Sequence, residues 1–324
     1  MKTPYKILIF LIVAMALLLV SLSLGTRTIS PAEMAGIVLG GPGSADYTIL
    51  VKLRLPRAVL AMVVGASLAV SGTVFQSVLK NPLADPYIIG VSGGAALGAT
   101  VAIVLDAGQF AVAAAAFAGS IAAISAVYLL SRRMSLGSTA LILSGIALGF
   151  ILSAAVLLVY ALSRSDQVHR AMLWLMGDLS GARYGMLNWL GAATLLLMAA
   201  VMAFHKHLDI VSLGARFSKN LGVTGGNLRA LFWIASLLAA VSVSLAGVVG
   251  FVGLIVPHLM RNVFGPRHLR LVPAAAAAGA LFLLASDTIG RSLVPPYEVP
   301  VGIITGFLGG AFFLVFMVRR EAGR

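Results

Sequence analysis

Ten acidic residues and five histidines are spread over 324 positions, and their spacing decides which chemistries the chain could perform. Hydrolytic or proton-transfer catalysis needs several titratable groups together, as paired carboxylates, a base beside a nucleophile, or a metal-ligand set. Only Asp287 falls well inside a long apolar stretch; Asp85, Asp178 and Glu298 lie near the ends of such stretches or in irregular segments. His258 follows Pro257 without an HExxH-type neighbour, so it reads as a hydrogen-bonding residue at a helix break rather than a ligand. The absence of cysteine removes disulfides and thiolate metal sites. No GxxxxGK(S/T) occurs, so the chain has no P-loop for a nucleotide phosphate, and any ATP must be hydrolysed on another chain. These residues point to something other than an enzyme.

The basic residues are more orderly. Lys52, Arg54 and Arg57 crowd one short stretch before an apolar run, and Arg291 stands at the end of another. Together they suggest a cationic rim with two possible uses. Long basic side chains anchor in lipid headgroups by snorkelling, and a cationic rim also suits docking of an acidic soluble partner. Charge alone does not choose between them. The net charge of +13 raises nucleic acid as a partner, but basic residues of membrane proteins collect at cytoplasmic helix ends, which accounts for the excess without one.

Glycine recurs with a period of four at Gly90, Gly94 and Gly98, at Gly145 and Gly149, and at Gly302, Gly306 and Gly310. Small residues at this spacing let helix backbones approach closely in lipid. Packing inside a bundle is the ordinary reading of each set. Gly145, Gly149, Gly302, Gly306 and Gly310 also suit a smooth wall lining a path for a bulky solute.

The elements that must position these residues follow from composition. The chain is 60% hydrophobic and 10% charged, with mean hydropathy +1.05. A soluble domain carries about 25% charged residues; here most of the surface must face lipid. The apolar residues form blocks of about 17–25, enough to cross a hydrocarbon core as helices. The expected architecture is a single all-α membrane domain, 1–324, with about ten transmembrane helices. They are expected at 7–24, 58–79, 88–105, 110–131, 139–162, 185–204, 229–248, 250–264, 271–290 and 299–318. Ten crossings put both termini on one side. A cytoplasmic N-terminus places fifteen of the 23 Lys and Arg residues inside and eight outside, as the positive-inside rule requires. Lys2 and Lys6 before the first apolar run also fit a cleaved secretory leader, although the run is long for one. Two stretches fall between spans: an outer loop, 25–57, with a Gly-Pro-Gly turn, and an inner loop, 205–228. The inner loop places Leu208, Val211, Leu213, Phe217, Leu221 and Val223 at roughly helical spacing, an amphipathic pattern that calls for a partner protein or a lipid surface.

Several long segments carry a resemblance. LRLPR at 53–57, GASLAVSGTVFQSVLKNPLADPYIIGVSGGAALGA at 65–99 and LILSGIALG at 141–149 are three of them. WLMGDLSG at 174–181, SLGARFSKNLGV at 212–223, GFVGLIVPHLMR at 250–261 and EVPVGIITGFLGGAFFL at 298–314 are the others. In order and over nearly the whole chain they resemble the FecCD permeases, the membrane subunits of ABC importers for ferric siderophores, haem and vitamin B12. The resemblance implies a homodimer in the inner membrane with a path on its two-fold axis, two ATPase subunits below and a substrate-binding protein above. ATP and magnesium would be held by the ATPase, with no cofactor on this chain. It implies that Arg54, Arg57 and Arg291 meet carboxylates of the binding protein. Ser212, Leu213, Gly214, Ala215, Asn220, Leu221, Gly222 and Val223 would couple to the ATPase. Asn81 and Leu83 would form one cytoplasmic gate, where Pro82 and Pro86 break the helix; Ser138 and Thr139 would form another. Residues 137–140, Gly-Ser-Thr-Ala, depart from relatives in which a basic residue follows. The implied mechanism is alternating access. The rival is an ion-coupled secondary transporter, which would carry its coupling ion on midplane carboxylates; Asp287 is the only serious candidate, and it lies close to the outside end.

Overall fold

A computed structural model describes residues 3–25, 27–133, 138–214, 218 and 220–322. Among these, all regular structure is helical apart from an isolated bridge between Val294 and Tyr297. Helix α1 spans Thr3–Ser23 and α2 spans Pro31–Leu39. A continuous helical stretch, α3, runs from Ala45 to Val78. It is followed by a 3-10 turn, Pro86–Ile89, then α4 (Val91–Val104), α5 (Gln109–Arg133), α6 (Ser138–Ala161) and α7 (Ser165–Leu175). The remainder comprises α8 (Tyr184–Ala203), α9 (His205–Ser212), α10 (Gly225–Ala246), α11 (Val252–Phe264), α12 (His268–Ser292) and α13 (Val301–Ala322).

Six of these helices are long and apolar enough to cross a membrane: α3, α5, α6, α8, α10 and α12. Shorter apolar stretches occur within α1, α4, α11 and α13. The expected outer loop at 25–57 is largely helical. Ser30 caps α2 through its hydroxyl and exchanges a reciprocal bond with Glu33, with Pro31 at the first helical position. Further on, Pro56 lacks the N–H that an α-helix needs, and the chain enters α3 through the wider π-type turns of Thr48–Arg54.

Helix α3 is the central element, packed on α10, α11 and α12, whereas α6 and α8 are peripheral with few buried residues. Lipid tails are as apolar as leucine, so close backbone contact rather than hydrophobicity must hold these helices together. Gly94 and Gly98 lie against the carbonyls of Gly119 and Ala115, closing α4 onto α5. Nearby, Phe232 meets Phe75 edge-to-face at 5.8 Å and Tyr128 at 5.5 Å, which fixes α10 against α3 and α5.

Candidate functional site

Helices α3 and α12 run antiparallel, so each end of the pair gathers polar residues from both. At one end, Asp287 of α12 is 1% exposed and is shared by two guanidinium groups. Its Oδ1 accepts from Arg57 Nε at 3.0 Å, and its Oδ2 accepts from Arg291 Nε at 3.0 Å. Arg57 NH1 reaches on to Glu298 Oε2 at 2.6 Å. Arg291 also donates to the Ser21 carbonyl at 3.1 Å, the Ser21 hydroxyl at 3.0 Å and the Leu24 carbonyl at 3.3 Å. Arg54 donates to the carbonyls of Leu22 (2.7 Å), Ser23 (3.0 Å) and Arg27.

The expected cationic rim is therefore arranged differently from an open surface. Arg54 and Arg291, 6% and 5% exposed, point inward onto the C-terminal carbonyls of α1, where helix geometry leaves acceptors unpaired and the dipole favours cations. Gly25, with φ +152°, makes room for this: a Cβ there would lie 2.7 Å from Arg54 NH2. Arg57 and Glu298 are the members nearest solvent. Together with Gly25, Ser180 and the other two arginines they border a cavity of about 280 Å³.

The opposite end of α3 closes in a Schellman turn. Lys80 adopts φ 53°, Lys80 N–H bonds the Ser77 carbonyl and Asn81 N–H bonds the Gln76 carbonyl. Asn81 Oδ1 then accepts from Leu83 N–H at 2.9 Å, and Asp85 Oδ1 accepts from Tyr87 N–H at 2.8 Å, starting the 3-10 turn. Burial pushes the Asp85 carboxyl up to about 6, against the lowering effect of that amide bond. Leu83 lines a small crevice together with Leu254, His258, Phe312 and Phe313 of α11 and α13. Of the second expected gate, Thr139 is exposed in the first turn of α6, which Ser138 opens.

The expected inner loop begins as a helix, α9, with Leu208 and Val211 buried against α3 and α12. Ser212 donates back to the Leu208 carbonyl at 2.9 Å. Beyond it, Gly214 (φ +114°) and Gly222 (φ +80°) take left-handed backbone, and Ser218 donates to Gly214 O at 2.7 Å. Leu213 and Leu221 are 63% and 56% exposed, Asn220 is exposed and Val223 is buried; Ala215 lies outside the described residues.

The glycines expected along a path divide in two. Gly149, Gly306 and Gly310 face open space. Gly145 and Gly302 are packed: a Cβ would lie 2.2 Å from Ile88 O and 2.4 Å from Met176 O. Gly149 borders a groove of about 250 Å³ shared with Tyr87, Ser92, Ile146, Phe150 and Ser153.

One constellation escaped the sequence reading. His268, Asp209 and Ser77, distant in sequence, lie in hydrogen-bonding contact. The available signals were weak: a His at the start of a helix and an Asp on an amphipathic segment.

Compared with known proteins, residues 11–319 match the model of the FecCD transport family. The Fe(3+)-citrate import system permease protein YfmE of Bacillus subtilis (strain 168) is 37% identical over 321 residues, covering 98% of this chain and 95% of that protein. The cobalamin import system permease protein BtuC of Halobacterium salinarum is 40% identical over 293 residues, 90% of this chain and 78% of that one. A solved structure presented as an inward-facing conformation of a metal-chelate type ABC transporter superposes with a TM-score of 0.87 at 29% identity, covering 98% and 99% of the two chains.

Proposed function

This chain belongs to the FecCD transport family, and from that premise we propose that it is the membrane-spanning subunit of an ABC importer that carries a metal chelate into the cytoplasm. A ferric siderophore is the first candidate cargo, then haem or cobalamin. Relatives named for iron citrate and for cobalamin differ from the chain by similar amounts, so identity does not separate these cargoes. In this reading the four shorter apolar helices cross the membrane with the six long ones, making ten spans with both termini cytoplasmic in the inner membrane.

The observation that carries the reading is the segment after α9. Leu213 and Leu221 stand exposed there, each beside a glycine of left-handed backbone, a surface suited to a protein partner. Residues 212–223 seat in the ATPase subunit, which binds ATP and magnesium; this chain binds no cofactor of its own. Two copies of the chain meet through the apolar faces of α6 and α13, where Phe150, Ile151, Phe307 and Leu314 are exposed. Gly149, Gly306 and Gly310 line the path between them. Asn81 and Leu83, with Ser138 and Thr139, close it on the cytoplasmic side. The binding protein docks over Arg54, Arg57 and Arg291. Arg57 is the accessible member, because Arg54 and Arg291 are engaged by α1.

Ion-coupled secondary transport remains the alternative. It needs a carboxylate free to exchange a cation, and Asp287 is held by two arginines. Co-purification in mild detergent decides between the two. An ATPase subunit in one-to-one ratio, lost in the Leu213→Asp/Leu221→Asp variant, is expected. A chain that purifies alone and transports in vesicles without ATP would overturn the importer reading.

A further inference from the structure

Asp209, on α9, sits one residue beyond the buried Leu208 and four before Leu213 of the coupling segment. Its Oδ1 accepts two bonds from the first residue of α12: the His268 backbone N–H at 2.8 Å and the ring Nδ1–H at 2.7 Å. The N-cap residue of α12, Arg267, supplies no side-chain acceptor. Asp209 thus caps α12 from another helix, with its charge at the end where the helix dipole favours an anion. On the other side of the ring, Nε2 lies 2.8 Å from Ser77 Oγ in the last turn of α3, and that hydroxyl also contacts the Thr73 carbonyl at 3.0 Å. Nε2 can donate to Ser77 or accept its proton, and either arrangement keeps the Asp209 bond. One imidazole therefore joins α9, α12 and α3.

The residue types match a nucleophilic triad, but the geometry opposes that use. Ser77 and His268 are both buried, 4% and 1% exposed, and no substrate can reach the hydroxyl. A mechanical role fits better. The apolar contacts of Leu208 and Val211 hold α9 without fixing its direction, whereas two bonds to one carboxylate oxygen fix both position and orientation. Ser218 binds back to Ile210 O at 3.3 Å, so the coupling segment is tied to the same helix. Starting at His268, α12 runs 25 residues, about 37 Å at 1.5 Å per residue. It is locked to α3 midway by Gly279 against Gly65, and at its far end by Asp287 against Arg57.

We propose that Asp209 and His268 are positioning residues of the transport cycle: they pass movement of the coupling segment to the α3–α12 pair, which carries it to the docking face. This rests on the importer reading above.

The test uses the complete complex in proteoliposomes with a ferric-siderophore probe, measuring uptake and ATP hydrolysis in the same sample. Asp209→Ala and His268→Ala should still co-purify the ATPase one-to-one. Each should lower the solute carried per ATP by about tenfold, within the usual range for coupling between sites. The double variant should lose no more than either single one, because both break one link. Asp209→Asn, which keeps the oxygen acceptor, should restore much of the ratio. Uptake and hydrolysis falling together at an unchanged ratio would show a purely structural role and overturn the proposal. Ser77→Ala leaves no buried charge unpaired and serves if the others misfold; an unchanged ratio there would likewise overturn it. A wild-type chain that co-purifies no ATPase would instead refute the importer reading, whatever the variants do.

Discussion

Gly65 and Gly279 face each other so closely that a Cβ on Gly65 would lie 2.2 Å from the Gly279 carbonyl oxygen, and one on Gly279 2.3 Å from the Gly65 oxygen. No side chain can yield here, because the obstacle on each side is backbone. Gly65→Ala or Gly279→Ala should therefore push α3 and α12 apart, costing at least the 1–3 kcal/mol or so of ordinary overpacking. The check is the thermal unfolding midpoint of the purified chain in detergent. Gly149→Ala and Gly310→Ala, where a Cβ meets open space, are the controls and should leave that midpoint unchanged. If all four behave alike, the close approach of α3 and α12 is not a source of stability.

The Asp287 carboxylate answers a different question, whether an intramembrane acid works or holds. Both its oxygens are taken by arginines, and those arginines tie α12 to α3 and α1. Replacing it by alanine leaves two guanidinium groups without their buried counter-charge, a loss of about 3–5 kcal/mol. Asp287→Ala should unfold at markedly lower temperature and reach the membrane in reduced amount. A variant of normal stability whose uptake has lost sensitivity to an uncoupler would make Asp287 a coupling residue instead.

Asp85 gives a pH signature. Its folded carboxyl titrates near 6, above the ordinary 3.8, so between those values the folded chain holds a proton that the unfolded chain releases. Stability from this group therefore rises as pH falls from 7 towards 4, by up to about 3 kcal/mol. Asp85→Asn keeps the oxygen that accepts from Tyr87 N–H and removes the charge. The variant should be more stable than wild type at pH 7, with the difference shrinking towards pH 4. A difference that does not vary with pH would mean that Asp85 is not buried as charge in the folded chain.

How much of this was legible beforehand depends on the range of the interaction. The α3, α5, α6, α8, α10 and α12 spans follow from local apolar length, and the structure places them within a few residues of expectation apart from the early start of α3. The start of α2 was also legible in Ser30, Pro31 and Glu33, a capping pattern overlooked inside a charged loop. Side-chain direction was not. Arg54 turns inward because its acceptors are main-chain carbonyls at and just beyond the end of α1, which any sequence could supply. Arg291 adds main-chain carbonyls of the same region to its bonds with Asp287 and the Ser21 hydroxyl. Gly145 and Gly149 share a face by spacing, yet only Gly145 meets a neighbour's backbone. His268 and Asp209 are 59 residues apart and meet only after α9 folds back.

The last prediction concerns the accessible arginine. Arg57 is divided between Asp287, which is buried, and Glu298, whose side chain is 46% exposed at the mouth of the cavity. In the importer reading a carboxylate of the binding protein must compete with Glu298 for Arg57. Rim charges act chiefly on association and its salt dependence, and an exposed pair contributes about 0.2–1 kcal/mol. Glu298→Gln should accordingly strengthen docking a few-fold, mostly through faster association at low salt. Arg57→Glu should abolish docking, and pairing it with Glu298→Gln should not restore it. Surface-immobilised binding protein, titrated with detergent-solubilised transporter at two ionic strengths, reads both rates. If Glu298→Gln weakens docking instead, Glu298 itself touches the partner, and the docking face is organised around this carboxylate rather than around Arg57.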